Sequence, residues 1–420
     1  MKGIFKKKNG VGIMYNGIYL QNGTRTPFGK YCGALASITP TNLGILAGKA
    51  ALEKSKIKAD EIDQVIVANI GQSSGDAYFL PRHISLYCGV PVGVPSIMVQ
   101  RICGSGLETL ITAADQITLG KAETTLCVGT ENMSLSPTVS FGNRMGYALG
   151  KVVFKDMLWE ALDDTAIGYP MGFTAENVAK KYGITRNDAD VFASLSYERA
   201  VAAWKANLFS NEITPVQSVL LEMEGLKPRK VFLPRGMKEF TTDEHVRHTD
   251  LDGLTKLAPV FSEAGVLTAG NSSGIVDGAA AAVVMTEEMI KSKALNPLSR
   301  IVASASCGVD PKEMGLGPVP AIRMLLEMTG LRIEDIGLFE INEAFSAQLI
   351  GCERELKLDR SRLNVNGGAI AIGHPLATTG IRLSLTLSLE MRRRKVKYGI
   401  ASACIGGGQG TAILFENTEK

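Results

Sequence analysis

Apolar positions recur at two different spacings along this chain, and the switches between them predict strands and helices in turn. Residues 97, 98, 99 and 102 read as a strand, after which Leu107, Leu110, Ile111, Ala114 and Ile117 recur at helical spacing. A long helical reading runs from Met171 through Lys205, with Thr185 and Arg186-Asn187-Asp188 supplying an N-terminal capping signal inside it. Beyond Phe209 the periodicity gives way to charged, proline-containing loops as far as Leu254.

The pattern also repeats. Ala51–Gln72 resembles Leu325–Ser346, each reading as the end of an amphipathic helix, a turn and a β-branched strand. Leu52, Ile57 and Ile62 match Leu326, Leu331 and Ile336 at a constant offset of 274 in numbering. Farther on, TLCVG around Cys127 matches SACIG around Cys404, at an offset of 277. Two similar α/β halves are expected. In the second half, Gly410 and a last strand follow Cys404 after six residues, whereas the matching strand from Gly278 begins 151 residues after Cys127. An insertion of about 145 residues therefore interrupts the first half, and insertions of that size commonly carry recognition above a rigid scaffold. The expected division is 1–131 with 268–292, an inserted loop domain at 132–267, and 293–420.

Composition narrows the class. A chain of 420 residues with 45% hydrophobic and 21% charged positions has ample material for a large core, and a net charge of +3 gives no reason to expect nucleic acid. No apolar run reaches the roughly 18 residues that span a bilayer, so no membrane association is expected. Lys6-Lys7-Lys8 is read as a solvated leader, because the stretch after it is interrupted by Asn16 and lacks a small-residue cleavage site. Seven cysteines, an odd number without a CxxC pair, fit neither a disulfide framework nor a zinc site. They point to reduced thiols and a cytoplasmic protein.

Four positions invite chemistry. Cys103 falls where a strand meets a helix start, where the helix dipole favours thiolate, and Gly104, Ser105 and Gly106 leave backbone N–H groups open to a substrate carbonyl. By itself it reads equally as a buried structural thiol. His374 sits in a tight loop made by Gly367, Gly368, Gly373 and Pro375, as either a fixed base or a structural histidine. Cys404 ends an apolar strand before a triple glycine; alone it is a core thiol, but the repeat brings it toward a common centre with Cys103 and His374. Asn342 and Glu343 occupy another strand end, where ligands of α/β sheets gather.

CGSGLE, NEAFSAQ, GGAIAIGHP and CIGGGQG resemble, in order and spacing, the four motif blocks of the thiolase family, and the likeness extends from about Ile18 to Glu416. The resemblance implies two repeated βαβαβαββ halves in a five-layer αβαβα sandwich, each half with a five-stranded sheet, and an inserted loop domain capping the site. It implies Cys103 as the acylated nucleophile, His374 as its base, and Cys404 as the acid and base at the α-carbon. Asn342, through a water, with His374 would form one oxyanion hole, and the N–H groups of Cys103 and Gly406 the other. Ser273, Arg247, Ala344 and Phe345 resemble CoA-contacting positions, with Met171 and Met314 near the acyl group or merely in the core. Coenzyme A would be a substrate, with no cofactor and no metal. The partners implied are acyl-CoA and CoA and a homodimer, often doubled into a dimer of dimers, with an accessory subunit left open.

The chain departs from the family pattern at Pro170, where acetoacetyl-specific members usually carry histidine, and at Ala377, usually glycine. Both bear on substrate identity rather than reaction class. A β-ketoacyl synthase would share the fold and the Cys nucleophile, but pairs it with two histidines or His and Asn and has no use for a cysteine at 404. A papain-like hydrolase also uses Cys, His and Asn, but neither the motif contexts nor the repeat suits it. A non-catalytic CoA-binding subunit would have lost one of these groups, and all are present.

Overall fold

A computed structural model describes residues 3–419. The first half comprises β1 (Ile18–Arg25), α1 (Pro40–Ser55), β2 (Gln64–Ala68), β3 (Ser96–Val99), α2 (Ser105–Thr118) and β4 (Thr124–Glu131). After the insertion, which carries α3 (Met171–Tyr182) and α4 (Arg186–Lys205), β5 (Val276–Thr286) returns to the same sheet. The second half contains β6 (Ser299–Gly308), α5 (Pro318–Thr329), β7 (Leu338–Ile341), α6 (Ser346–Leu356), α7 (Thr379–Arg394), β8 (Tyr398–Ile405) and β9 (Gln409–Asn417).

Strand order is β3-β2-β4-β5-β1 in the first half and β7-β8-β9-β6 in the second. The second sheet's expected fifth strand is reduced to a single parallel bridge between Phe339 and Leu363. The sheets meet at one corner, where Ser299 pairs with Leu20 and Arg300 with Tyr19. Between them lie α2 and α7, whose Leu107, Leu110, Ile381 and Leu385 share one core with Ile66, Ala282, Ala401 and Ile413 from the two sheets. Separate apolar cores cover the two outer faces, giving the five layers. Strands covered on both faces are buried along their whole length, as β4 is, and their sequences run apolar and small rather than alternating.

The repeat extends to its turns. The Glu61 carboxylate accepts the Lys58 N–H at 2.8 Å, and at the matching position of the second half Asp335 accepts the Arg332 N–H at the same distance. The pairing of Cys127 with Cys404 is corrected. Thr125 lies opposite Gln64 and Gly399 opposite Leu338, so β4 and β8 keep the same offset as the rest of the repeat, and the counterpart of Cys404 is Thr130. A shift of three positions, an odd number, puts the two cysteines on opposite sheet faces. Cys127 points into the middle layer, its thiol donating to the Thr109 carbonyl at 3.4 Å.

Three local expectations change as well. The leader is ordered: Ile4–Lys7 and Gly10–Met14 form a hairpin whose second strand pairs with Ala303–Cys307 of β6. Strand β3 stops at Val99, and Ile102 turns the chain with φ +41° instead of extending it. The helical stretch breaks at Gly183, which adopts φ +58°, and Thr185 then caps α4, its hydroxyl accepting the Asp188 N–H at 3.1 Å while the Asp188 carboxylate accepts the Thr185 N–H at 2.9 Å.

Candidate active site

The site forms where the N-terminal ends of α2 and α7 cross. Gly106 and Gly380 face each other there so closely that a Cβ on Gly380 would collide with the Leu107 nitrogen. This contact places the turn Ile102–Gly104, carrying Cys103, beside the loop carrying His374.

Cys103 is partly buried, in a single tight turn one step before α2 rather than in the helix itself. It packs, as Ile70 does, against a cluster of Met133, Leu158 and Leu376. The expected dipole-stabilised thiolate is not the resting state. Burial pushes the thiol up to about 11, only partly opposed by N–H donation from Gly406 and from Cys103 itself, and the nearby charge of Glu131 pushes it further up. Cys404 is fully buried among Met314, Ala344, Met171 and Phe345. Burial and the neighbouring Cys103 both raise its pKa.

His374 lines one cavity with Met133 and Leu376 from the first cluster and Met171 and Phe345 from the second. Its Nδ1 is 2.6 Å from Thr379 Oγ1, and that hydroxyl is 3.1 Å from the Pro375 carbonyl, its acceptor. With its one hydrogen so used, Thr379 accepts from Nδ1–H, and the network assigns the lone pair to Nε2. Asn342 Nδ2 faces that Nε2 at 3.3 Å. Burial, helped by Arg382, drives His374 down to about 3, so the imidazole is neutral at ordinary pH. The resting pair is therefore a neutral thiol and a neutral imidazole. The Oδ1 atom of Asn342 is buried with no partner among the described residues, which suits an oxygen bound between it and Nε2.

Glu343 supports the same loop from behind, accepting from Ser196 Oγ at 2.7 Å, Asn364 Nδ2 at 2.9 Å and the Ile370 N–H at 3.2 Å. The His374 N–H donates to the Gly274 carbonyl at 2.9 Å, and the Ser273 N–H donates to the Ala344 carbonyl at 3.0 Å.

A cavity of about 480 Å³ opens above His374, lined among others by Pro170, Met171, Arg247, Ser273 and Phe345. Met133 and Leu376 separate it from Cys103, while Met171 and Phe345 separate it from Cys404. Met314 and Ala344 lie behind that second wall, against Cys404. Arg247 is exposed at the mouth, its guanidinium 5.4 Å from the Tyr197 ring centre. Sequence reasoning missed Thr379, His245 and Trp159: the first lies at the start of the helix after His374, and the other two reach the cavity from the insertion. Only the short step in sequence from His374 to Thr379 offered a signal.

Two thiols and a neutral imidazole gathered about one cavity are groups that acyl transfer through a thiol can use. Residues 18–288 match the family described as thiolase, N-terminal domain, and residues 295–417 match thiolase, C-terminal domain. The chain belongs to the thiolase family. It is 43% identical over 407 residues to the mitochondrial 3-ketoacyl-CoA thiolase of Bos taurus, covering 96% of this chain and 99% of that one. It is also 43% identical over 401 residues to an acetyl-CoA acetyltransferase of Cupriavidus necator, covering 95% and 99%. Human mitochondrial 3-ketoacyl-CoA thiolase in complex with CoA superposes with a TM-score of 0.90 at 41% identity, covering 98% of each chain.

Proposed function

We propose that Cys103, His374 and Cys404 divide the thiolase reaction among them. The enzyme is an acyltransferase that makes or cleaves the C2–C3 bond of a 3-oxoacyl-CoA through an acyl-cysteine, with CoA as substrate. In cleavage, His374 Nε2 takes the Cys103 proton as sulfur attacks the C3 carbonyl. Breaking C2–C3 leaves the acyl group on Cys103, and the acetyl-CoA carbanion takes a proton from Cys404. The thiol of a second CoA then displaces the acyl group from Cys103. Condensation reverses every step.

N–H groups of Cys103 and Gly406 would hold one oxyanion, and Nε2–H with a water on Asn342 the other. Ser273, Arg247, Ala344 and Phe345 would meet the CoA arm, with Met171 and Met314 beside the reacting carbons. The 132–267 segment would cap the site. What supports this reading is that the two thiols pack against separate apolar clusters, members of which line one cavity together with His374.

Cys103 packs against an apolar cluster of Met133, Leu158 and Leu376, and Pro170 at the cavity offers no polar side chain. Both favour an acyl group longer or more apolar than acetoacetyl. We also infer a homodimer, because β3 leaves one edge unpaired with Ile97 exposed, and a dimer of dimers through the exposed Phe141, Met145 and Leu149. Seven free cysteines favour a reducing compartment such as the cytoplasm, although the Bos taurus relative is mitochondrial. Among the described residues no helix is long and apolar enough to cross a membrane.

The test is peptide mass mapping after incubation with a 3-oxoacyl-CoA. The adduct is expected on Cys103, and an adduct on Cys404 alone would refute the assignment. Cys404→Ser is expected to acylate Cys103 still while losing roughly 10²- to 10⁴-fold in α-proton exchange.

A further inference from the structure

Glu131 ends β4 with 0% of its surface exposed, and among the described residues no lysine, arginine or histidine forms an ion pair with it. Its carboxylate is nevertheless fully satisfied. One oxygen accepts from Gly71 N–H at 2.8 Å and Asn69 Nδ2 at 3.0 Å; the other accepts from Ala377 N–H at 3.1 Å and Ile70 N–H at 3.2 Å. An ionised carboxylate offers about four acceptor sites and no donor, and four N–H groups fill them. A glutamine there would turn an NH₂ donor toward two of those N–H groups. Burial pushes the acid up to about 7, and the N–H bonds oppose the rise.

The donors come from two segments distant in sequence, and both segments bear on the reacting thiol. Ile70 and Cys103 pack against the same cluster of Met133, Leu158 and Leu376, and Leu376 is the neighbour of Ala377. Ala377 itself follows His374 by three positions. One carboxylate thus joins the turn that backs the nucleophile to the loop that carries its base.

We propose that Glu131 is a positioning residue of this active site, clamping the 69–71 turn to the loop after His374 so that thiol and imidazole keep the spacing proton transfer needs. This rests on Cys103 and His374 acting as nucleophile and base. Reacting groups must sit about 3–3.5 Å apart, and a misplacement near 1 Å can cost about 10²-fold in rate. None of the four bonds of Glu131 goes to a residue lining the outer cavity, so its loss is expected to weaken acylation far more than CoA affinity.

Glu131→Gln and Glu131→Asp are to be compared with the parent for the rate of Cys103 acylation by single-turnover mass measurement, and for CoA affinity by titration calorimetry. Thermal unfolding checks that each variant is folded. The glutamine variant is expected to acylate at least 30-fold more slowly with CoA affinity within threefold of the parent. The aspartate variant keeps the charge but is one methylene too short to span both loops, so it is expected to fall at least fivefold, again with CoA affinity held. A folded glutamine variant that acylates within threefold of the parent would overturn the proposal. So would loss of rate and CoA affinity together. If the glutamine variant does not fold, the aspartate variant decides alone, and a rate within twofold of the parent refutes the clamp. A parent that does not acylate at Cys103 would instead refute the assignment of the nucleophile, which separates the two failures.

Discussion

Gly106 and Gly380, one in each half of the chain, touch at the pseudo-twofold crossing of the two central helices. Each is the counterpart of the other in the repeat, and each is hydrogen in place of a side chain because the facing backbone leaves no room. A Cβ on Gly106 would lie 2.7 Å from the Ala377 carbonyl oxygen. Cys103 is held three positions before the first and His374 six before the second, so the helix spacing sets the spacing of thiol and base.

Gly380→Ala is therefore expected to force the helices apart. Overpacking of this kind typically costs about 1–3 kcal/mol, and urea denaturation should show a loss at the upper end of that range. The residual folded enzyme should acylate Cys103 at least tenfold more slowly. A stable, fully active variant would show that the crossing does not govern the site.

Thr379 fixes which imidazole nitrogen carries the proton. Thr379→Val removes the acceptor for Nδ1–H, and acylation is expected to fall roughly 10- to 100-fold, a part of what a general base supplies. Thr379→Ser keeps the hydroxyl and should stay within threefold of the parent. Equal losses in both variants would point to packing rather than the tautomer.

Burial of neutral His374 makes stability depend on pH with a defined sign. Its pKa is about 3 in the folded protein and about 6.5 in the unfolded chain. Below about 6.5 the unfolded chain binds a proton that the folded one refuses, so this stabilisation is present above that pH and is lost as pH falls toward 3. Glu131 acts oppositely: its pKa is raised to about 7, so its contribution is present at low pH and is lost as pH rises through 7. The difference between parent and His374→Gln isolates the first effect. From pH 6 to pH 4 the parent should lose on the order of 1 kcal/mol per pH unit relative to the variant. Parallel denaturation curves would contradict the neutral, buried imidazole.

Pro170 reaches the cavity and caps the start of α3 with extended φ and ψ. The parent is expected to prefer longer or branched 3-oxoacyl-CoAs over acetoacetyl-CoA in kcat/KM, and Pro170→His to narrow that preference. A tenfold preference of the parent for acetoacetyl-CoA, about 1.4 kcal/mol, would leave Pro170 without a role in specificity.

Much of the fold was legible because repeated halves write the same helix, turn and strand twice, down to the hydrogen bonds accepted by Glu61 and Asp335. Cys103, His374 and Cys404 drew notice through the glycine-rich motifs that carry them. Register was harder to read: TLCVG and SACIG share letters three positions out of step, and only strand pairing shows that Thr130 is the counterpart of Cys404. The protonation state of Cys103 was invisible for a similar reason. A helix start promises a thiolate, but Ile70, Met133, Leu158 and Leu376 arrive from four separate segments and remove the solvent that a thiolate needs. Glu131 gave no signal, since its donors belong to loops joined only in space.

The inserted segment does not keep its apolar residues to itself. Phe192, Tyr197 and Phe209 fill the outer core of the second half, while Val216, Leu221, Val231 and Phe240 fill that of the first. Buried Arg25 on β1 binds Glu212 and Asp243, both from the insertion, at 2.7 and 2.6 Å. Removing one partner of such a buried pair strands the others without compensation. The 132–267 segment and the two halves thus share their apolar cores, so loss of Arg25 is expected to destabilise all three together. Met133 and Leu376 on one side, and Met171 and Phe345 on the other, stand between the cavity and the two thiols, so a substrate reaching either sulfur has to displace those side chains.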